Sequence, residues 1–294
     1  MVIKESLGRK TFNLFNVLFM LFLIIIMAYP IYYVIMASLS DSNELMRHTG
    51  ILLKPLGINF NAFESVFKNP NILRGYKNTL IILVLGTSIN MVMTALTAYA
   101  LSRKGLMFGN AITMFMVFTM FFGGGLIPTY LLVNNLGLTN TYWSVVLPGA
   151  MSTYNFIIMR TGFASIPDSL EEAARIDGAS HFTILCTIYV PLAKATMAVI
   201  LLYYVVGHWN SWFQAMIYMQ KARELQPLQL VLRGILIAND TSSMQGAGVA
   251  ADQEAIGESI KYAVIVVATL PILIVYPFLQ KYFVQGVMIG AVKG

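Results

Sequence analysis

Six apolar stretches of the sequence are each close to the length that an α-helix needs to cross a lipid bilayer. At a rise of about 1.5 Å per residue, a hydrocarbon core about 30 Å thick requires about 20 apolar residues. The stretches contain no Asp, Glu, Lys or Arg, except for Lys261 near the start of the last one. They cover residues 12–35, 78–101, 110–132, 142–159, 195–219 and 260–278. The sequence therefore predicts an all-α, polytopic membrane protein with six transmembrane helices.

The composition supports this class and narrows the set of partners. Charged residues make up 11% of the chain, whereas a soluble domain carries about 25%. The formal net charge of +6 arises without any basic run longer than two residues, so we expect contact with membrane lipid and none with nucleic acid. The first apolar stretch is longer than the apolar region of a signal peptide, which predicts a retained span.

Two short turns decide the predicted orientation. The turn at 102–109 carries Arg103 and Lys104, whereas the turn at 133–141, one span later, carries no charge. Because basic residues accumulate in short cytoplasmic loops, the turn at 102–109 is predicted to face the cytoplasm. Six spans then place both termini in the cytoplasm, with the protein in the cell membrane.

The spans define the predicted organisation of the chain. A cytoplasmic N-terminus with the first span, an external loop, a membrane core and a cytoplasmic tail occupy 1–35, 36–77, 78–278 and 279–294. Within the core, the loop 160–194 is predicted to be cytoplasmic and the loop 220–259 to be external. Only the cytoplasmic loop concentrates charge, with four acids and one arginine in ten positions.

The charged stretch DSLEEAARIDG predicts a short cytoplasmic helix over 170–177. Either Ser169 or Asp168 is expected to cap its start, in a capping box with the glutamate three residues later. Gly178 lies where a left-handed C-terminal cap falls. On periodicity alone, this helix is as compatible with an ordinary solvated connection between two spans as with a docking surface.

A longer pattern around this helix resembles a known signature. It reads Glu172-Ala173-Ala174, three residues, Gly178, nine residues, Ile188, one residue, and Val190-Pro191. The pattern resembles the EAA motif of the membrane subunits of ATP-binding-cassette importers, with Val190 where that family usually has leucine. Further similarity to the maltose-type carbohydrate permeases lies at Pro128-Thr129-Tyr130, Leu136-Gly137-Leu138, Ile166-Pro167, Asp177-Gly178-Ala179, Trp209-Asn210 and 287–294. The runs 226–230 and 280–283 resemble the branch for complex oligosaccharides and polysaccharide fragments.

The resemblance implies a permease subunit of an importer that moves a carbohydrate, in that branch an oligosaccharide, into the cytoplasm. It also implies a second homologous permease subunit, two ATPase subunits that hold ATP and Mg, and an extracytoplasmic solute-binding protein. The chain contains no Gly-Lys dipeptide and hence no Walker A loop, so neither a cofactor nor an enzymatic role is expected on it. The residues expected to couple the subunit to the ATPases are Ser169, Glu171, Glu172, Ala173, Ala174, Asp177, Gly178 and Pro191.

The fifth apolar stretch supplies candidate residues for the sugar path. Trp209, Trp212 and Phe213 are spaced i, i+3 and i+4, which places them on one face of a continuous helix. Aromatic rings suit the apolar faces of a sugar, and the amide of Asn210 can donate to and accept from hydroxyls. The alternative is that the aromatic side chains pack against neighbouring spans and Asn210 bonds a facing backbone.

Two rival functions stay open at the level of sequence. An ion-coupled secondary transporter usually relies on ionisable groups within the membrane; the spans supply no carboxylate, but a sodium site built from backbone carbonyls would not need one. An intramembrane serine protease would use Ser88 with His208 as base, although Ile89 stands where such proteases have glycine. The three histidines lack metal-ligand spacing, so no metal site is expected.

Overall fold

The computed structural model describes residues 6–238 and 259–274, and most of these residues are α-helical. Over these ranges the sole β-type pairing is one antiparallel bridge between Ser40 and Ile58. The all-α prediction is therefore confirmed for the described chain. The helices are α1 (Leu7–Ser38), α2 (Ser42–Arg47), α3 (Asn61–Lys68), α4 (Pro70–Ser102), α5 (Gly109–Phe121), α6 (Leu126–Asn135), α7 (Trp143–Val146), α8 (Thr153–Ala164), α9 (Asp168–Ile176), α10 (His181–Ile184), α11 (Val190–Leu192), α12 (Lys194–Trp209), α13 (Phe213–Tyr218), α14 (Leu228–Ala238) and α15 (Ser259–Ile274), with a π-helical turn at Leu185–Tyr189 and a 3-10 turn at Arg223–Leu225.

Two of the predicted spans are single, unbroken helices. α1 has 32 residues and α4 has 33, and both are long and apolar enough to cross a membrane. Among the described residues, two further segments qualify only as bent pairs: α5 with α6, bent by 111°, and His181–Leu192 with α12, bent by 88°. The shorter α15 matches the start of the sixth predicted span, whose continuation to residue 278 lies outside the described residues.

The prediction of one continuous helix over 110–132 is wrong. α5 ends at Phe121, and the glycines at 123–125 precede the start of α6. Gly125 has a φ of +85°, a backbone conformation that residues with a Cβ rarely adopt. The chain therefore turns sharply at a point that its apolar composition does not reveal.

The predicted helices over 142–159 and 195–219 are interrupted as well. The break between α7 and α8 contains Pro148, which has no backbone N–H to donate. Between α12 and α13, the side-chain amide of Asn210 donates to the carbonyl of Val206 at 3.0 Å. Such a local side-chain bond competes with the helical hydrogen-bond ladder.

The described residues form two compact units, of which the first contains residues up to Pro70 together with 234–238 and 259–270. The predicted loop 36–77 is partly helical here, since it holds α2 and α3. A small apolar cluster of Ala37, Leu45 and Leu52 lies in this unit. The rings of Tyr33 and Tyr262 meet edge to face beside it, with centroids 5.8 Å apart.

Among the described residues, the second unit comprises 71–233 and 271–274, with α4 as its longest helix. Two buried apolar clusters lie along this unit. One includes Ala98 near the C-terminal end of α4 and is completed by Phe156, Met159 and other side chains. The other includes Ile82, nearer the start of α4, with Val146.

A belt of polar side chains lies between these clusters. The amide of Asn90 donates to the carbonyl of Gly149 at 2.6 Å and is bonded through its oxygen to His208 Nε2 at 2.6 Å. The hydroxyl of Tyr204 is bonded to Thr94 at 2.7 Å and accepts from a backbone N–H in the same break as Gly149. Non-helical backbone at membrane depth requires internal hydrogen bonds, and this belt supplies them to the break between α7 and α8.

Candidate functional site

The charged stretch forms a helix, α9, which starts two residues earlier than predicted. Its N-cap is Pro167, and no side chain caps the first turn. Both capping-box registers, with Ser169 or Asp168 as the cap, are therefore wrong. The helix starts at Asp168, so Ser169 lies inside it and cannot be its N-cap, and the carboxylate of Asp168 pairs with Lys104 instead of its own backbone.

The C-terminal end of α9 matches its prediction. Gly178 has a φ of +79°, the left-handed conformation expected of a C-terminal cap. Its N–H donates to the carbonyl of Arg175 at 3.0 Å, and the N–H of Ala179 donates to Ala174 at 2.9 Å. These two bonds define a Schellman motif, which stops the helix and turns the chain toward α10.

Glu171 is the buried centre of the site. Its carboxylate pairs with Arg103 and, at 2.6 Å, with Arg175, and it accepts a hydrogen bond from the hydroxyl of Tyr189 at 3.3 Å. Only 2% of Glu171 is exposed. A charge buried to this extent requires opposite charge close by, so the helix is fixed to the protein through this residue.

Arg103 connects α9 to the end of α4. Its guanidinium lies over the rings of Tyr99 and Tyr189, with 5.3 and 4.9 Å between its carbon and the ring centroids. It is also hydrogen-bonded to the hydroxyl of Tyr189. Cation–π contacts of this kind favour arginine, whose planar group stacks on aromatic faces.

A second, exposed ion pair supports the same connection. Lys104 Nζ and Asp168 Oδ2 are 2.5 Å apart. The hydrogen bond from Lys104, together with its charge, lowers the pKa of the Asp168 carboxyl, and the same contact raises the pKa of the Lys104 amine. The set Arg103, Lys104, Asp168 and Glu171 is called the clamp below.

The outer face of α9 stays accessible. Glu172, Ala173 and Asp177 are exposed, and Ile176 is 87% exposed, the highest fraction among the large apolar side chains of the described residues. Of the eight predicted coupling residues, Glu171 points inward and Ala174 is half-buried against the apolar cluster around Ala98. The other six, Ser169, Glu172, Ala173, Asp177, Gly178 and Pro191, are exposed.

The predicted aromatic face of the fifth span does not exist as a helix face. Trp209 ends α12 and is buried beside Tyr76, with ring centroids 6.2 Å apart. Trp212 and Phe213 come after the break, with their rings perpendicular and 5.7 Å apart. The exposed Asn210 bonds a carbonyl of its own helix, that of Val206, whereas the alternative had named a facing backbone.

Sequence reasoning missed the partners of the charged helix. It used Arg103 and Lys104 for orientation only, although four acids with one arginine in a single loop indicate that cations from elsewhere neutralise some of them. It also missed the polar belt, whose side chains come from two helices, α4 and α12, and bond the backbone of a third predicted span. His208 is bonded to Asn90, whereas Ser88, the serine of the protease hypothesis, is exposed.

These features define a helical membrane protein with a charged helix clamped beneath its spans. The chain belongs to the family of binding-protein-dependent transport system inner membrane components, whose model matches residues 6–289. It is therefore an inner-membrane transport component, and the predicted identity as an importer permease is confirmed. This membership leaves no support for the secondary transporter or the protease.

Individual relatives cover almost the whole chain. Protein LplC of Bacillus subtilis (strain 168) is 39% identical over 287 residues, or 97% of this chain and 96% of that protein. The polygalacturonan/rhamnogalacturonan transport system permease protein YtcP of the same strain is 38% identical over 293 residues, covering 97% and 99%. A crystal structure of a bacterial ABC transporter involved in the import of the acidic polysaccharide alginate contains a similar chain, with a TM-score of 0.86, 31% identity and coverage of 95% and 99%.

Proposed function

We propose that this permease moves an oligosaccharide into the cytoplasm and is driven through the exposed face of α9. The observation that carries the proposal is the two-sided character of this helix: Glu171 fixes its inner face, while Glu172 and Ile176 are left exposed. A helix that is held firmly and exposed outward suits the docking of a moving partner. The relatives that transport polygalacturonan or alginate support an oligosaccharide as the substrate.

The proposed topology has six crossings, some of them broken, with both termini in the cytoplasm. The contacts at the two ends of the second unit support this arrangement. The turn after α4 pairs with α9 at one end. At the other end, the N–H of Asn140 donates to Tyr218 at 2.8 Å, and Asn78 donates to the carbonyl of Glu224 at 2.8 Å. Segments predicted to share a side of the membrane are thus joined to one another.

The proposed assembly contains a second permease subunit, two ATPase subunits that hold ATP and Mg, and a solute-binding protein outside. ATP-driven closure of the ATPases would act on α9 and bias the spans between inward-facing and outward-facing states. The cytoplasmic loop 160–194 is the proposed receiver of this movement. Two segments lie outside the described residues: residues 239–258 of the external loop 220–259, and the tail 279–294.

The test uses the complete complex, reconstituted with its ATPases and binding protein. Glu172→Lys reverses an exposed charge, and Gly178→Val puts a β-branched residue at a φ of +79°, which it resists. Both variants should insert into the membrane normally but lose sugar uptake and the stimulation of ATPase activity by the binding protein. Gly178→Asn is the matched control, because asparagine tolerates the left-handed conformation. Uptake and ATPase activity at the wild-type level in both test variants would contradict docking at α9.

A further inference from the structure

The end of the second unit opposite the clamp carries a large excess of positive charge. The contacts of Asn78 bring the start of α4 to the segment around Glu224. Within residues 71–233 this end has five basic residues and one acidic residue, a formal net charge of +4. The basic residues are Arg74, Lys77, Lys221, Arg223 and Arg233. No ion pair joins any of the five to a carboxylate of the described residues.

This charge is unexpected at that position. In the proposed topology it lies on the outer side, whereas basic residues favour the cytoplasmic side of a membrane protein. A concentration of one sign of charge at the mouth of a transport path attracts ligands of the opposite sign. The excess therefore points to an anionic substrate rather than to a requirement of membrane insertion.

Arg233 is the member of this group that lies against an aromatic surface. Its guanidinium carbon is 4.8 Å from the centroid of the Trp212 ring. The N–H donors of a guanidinium lie in its plane, and no carboxylate of the described residues pairs with those of Arg233. Beside it, Phe213 is perpendicular to Trp212 and 44% exposed, so the cation adjoins an accessible aromatic surface.

The break between α12 and α13 also contains polar atoms without partners. Trp209 Nε1 and Ser211 Oγ are buried, and neither has a hydrogen-bond partner among the described residues. Buried donors are normally satisfied, and irregular backbone at membrane depth is tolerated where it lines a cavity. The unpaired polar atoms and the aromatic rings of this region, together with the Arg233 cation that lies over Trp212 from α14, match the hydroxyls, the ring faces and the carboxylate of a single class of ligand.

We propose that Arg233 and Trp212 form a subsite for the carboxylate of a uronic acid unit, and that the substrate is an anionic oligosaccharide. Arg233 would bind the carboxylate through two parallel N–H donors, the geometry that suits guanidinium and carboxylate. Trp212 orients the guanidinium, and the exposed Phe213 offers its ring to the sugar. This inference rests on the proposed function as an oligosaccharide permease and adds the chemical class of the oligosaccharide.

The test compares the uptake of oligogalacturonate and of its methyl ester of the same length by the complete reconstituted complex. Arg233→Gln should raise the apparent KM for oligogalacturonate at least about tenfold, because it removes charge-assisted hydrogen bonds. Arg233→Lys keeps the charge but loses the two parallel N–H donors, so its apparent KM should lie between those of the wild type and Arg233→Gln. Arg74→Gln, an exposed member of the same group, is the matched control and should change KM less than about twofold through long-range screening alone.

Several outcomes would overturn the inference. One is a wild-type complex that prefers the methyl ester, and another is an Arg233→Gln variant with an unchanged KM for oligogalacturonate. A third is an equal loss of uptake of both sugars in Arg233→Gln and in Arg233→Lys. The last result would assign Arg233 a structural role. Uptake of a neutral oligosaccharide alone would refute the anionic subsite and leave the proposed function intact. A complex that takes up no oligosaccharide in the presence of ATP would refute the proposed function itself.

Discussion

The two ends of the second unit hold α4 by different means. At the C-terminal end of the helix, the clamp joins α4 to α9 through charged groups, two of them largely buried. At the other end, Asn78 joins α4 to the backbone of Glu224 and Gln226 through a neutral amide. Five cations lie at each end, with four acids near the clamp and one acid near Asn78.

This difference separates cations that maintain structure from cations that are available to a ligand. Near the clamp, Glu171 is buried and must be neutralised, so Arg103 and Arg175 are committed to it. Near Asn78, the hydrogen bonds are neutral, and the cations are not needed to satisfy them. Arg103 and Arg175 are therefore bound to a carboxylate, whereas none of the five cations near Asn78 pairs with a carboxylate of the described residues.

Among the variants that test this difference, removal of the buried carboxylate should cause the largest loss of stability. Glu171→Gln leaves Arg103, whose side chain is 15% exposed, without its counter-charge, and breaking a buried pair costs about 3–5 kcal/mol. We expect a correspondingly large loss in thermal stability of the purified complex. Glu172→Gln, on the exposed face of the same helix, is the control and should unfold at the wild-type temperature. Equal stability of the two variants would show that burial does not distinguish these glutamates.

Removing the amide at the opposite end should have a smaller effect. Asn78 donates to two carbonyls at 2.8 and 2.9 Å and accepts from the hydroxyl of Tyr142 at 2.8 Å. Asn78→Leu leaves these groups unsatisfied, at a cost of about 1–3 kcal/mol. The same thermal measurement applies, with Asn110→Leu, an exposed residue, as its control. If Asn78→Leu lost as much thermal stability as Glu171→Gln, the ion pairs at one end of α4 and the neutral hydrogen bonds at the other would not differ in strength as proposed.

The glycines at the two ends are constrained in different ways. A Cβ on Gly75 would lie 2.9 Å from the Cα of Leu228, whereas a Cβ on Gly178 would meet nothing within 4 Å. Gly75→Ala is thus an overpacking change that costs about 1–3 kcal/mol, and Gly178→Ala is a conformational one that costs about 1 kcal/mol. Asparagine should restore stability at 178 but not at 75. Rescue at both positions, measured by thermal unfolding, would contradict this assignment.

Removal of the exposed ion pair of the clamp, Lys104 with Asp168, should have the smallest effect on stability. Because its pKa is lowered in the folded protein, Asp168 contributes stability above its usual pKa of about 3.9, and this contribution is lost as pH falls through the lowered value. Because the pKa of Lys104 is raised in the folded protein, its contribution to stability is lost only as pH rises through that raised value. Asp168→Asn should therefore lower the unfolding temperature slightly at pH 7. The difference from wild type should disappear in acid and shrink in high salt.

Asp177→Asn is the control for this experiment. Asp177 is exposed at the end of the same helix, so its replacement should leave the unfolding temperature unchanged at each pH. A difference between Asp168→Asn and wild type that persists in acid and in high salt would show that the ion pair is not its source.

Sequence reasoning predicted elements that depend on local composition. Apolar length predicted α1 and α4, and the position of Gly178 predicted the end of α9. It failed where non-local contacts decide the outcome. Asp168 would cap α9 in isolation, but Lys104 binds its carboxylate, and no local pattern distinguishes the buried Glu171 from the exposed Glu172.

The breaks in the spans were unpredictable for a related reason. Hydropathy averages over a window, and three glycines or one proline change that average little. The Gly149 carbonyl is satisfied by Asn90, a residue 59 positions away. The predicted aromatic face around Trp212 failed in the same way, because it assumed a continuous helix.

The length of α4 has a mechanical consequence. With 33 residues, the helix is about 50 Å long, and within the described structure it is one stiff rod without an interruption. Because the clamp fixes one end of this rod to α9, a displacement of α9 either tilts the rod or breaks an ion pair. The opposite end lies beside the segment that Asn78 holds, so a tilt of the helix that starts at the clamp becomes a lateral displacement at that end.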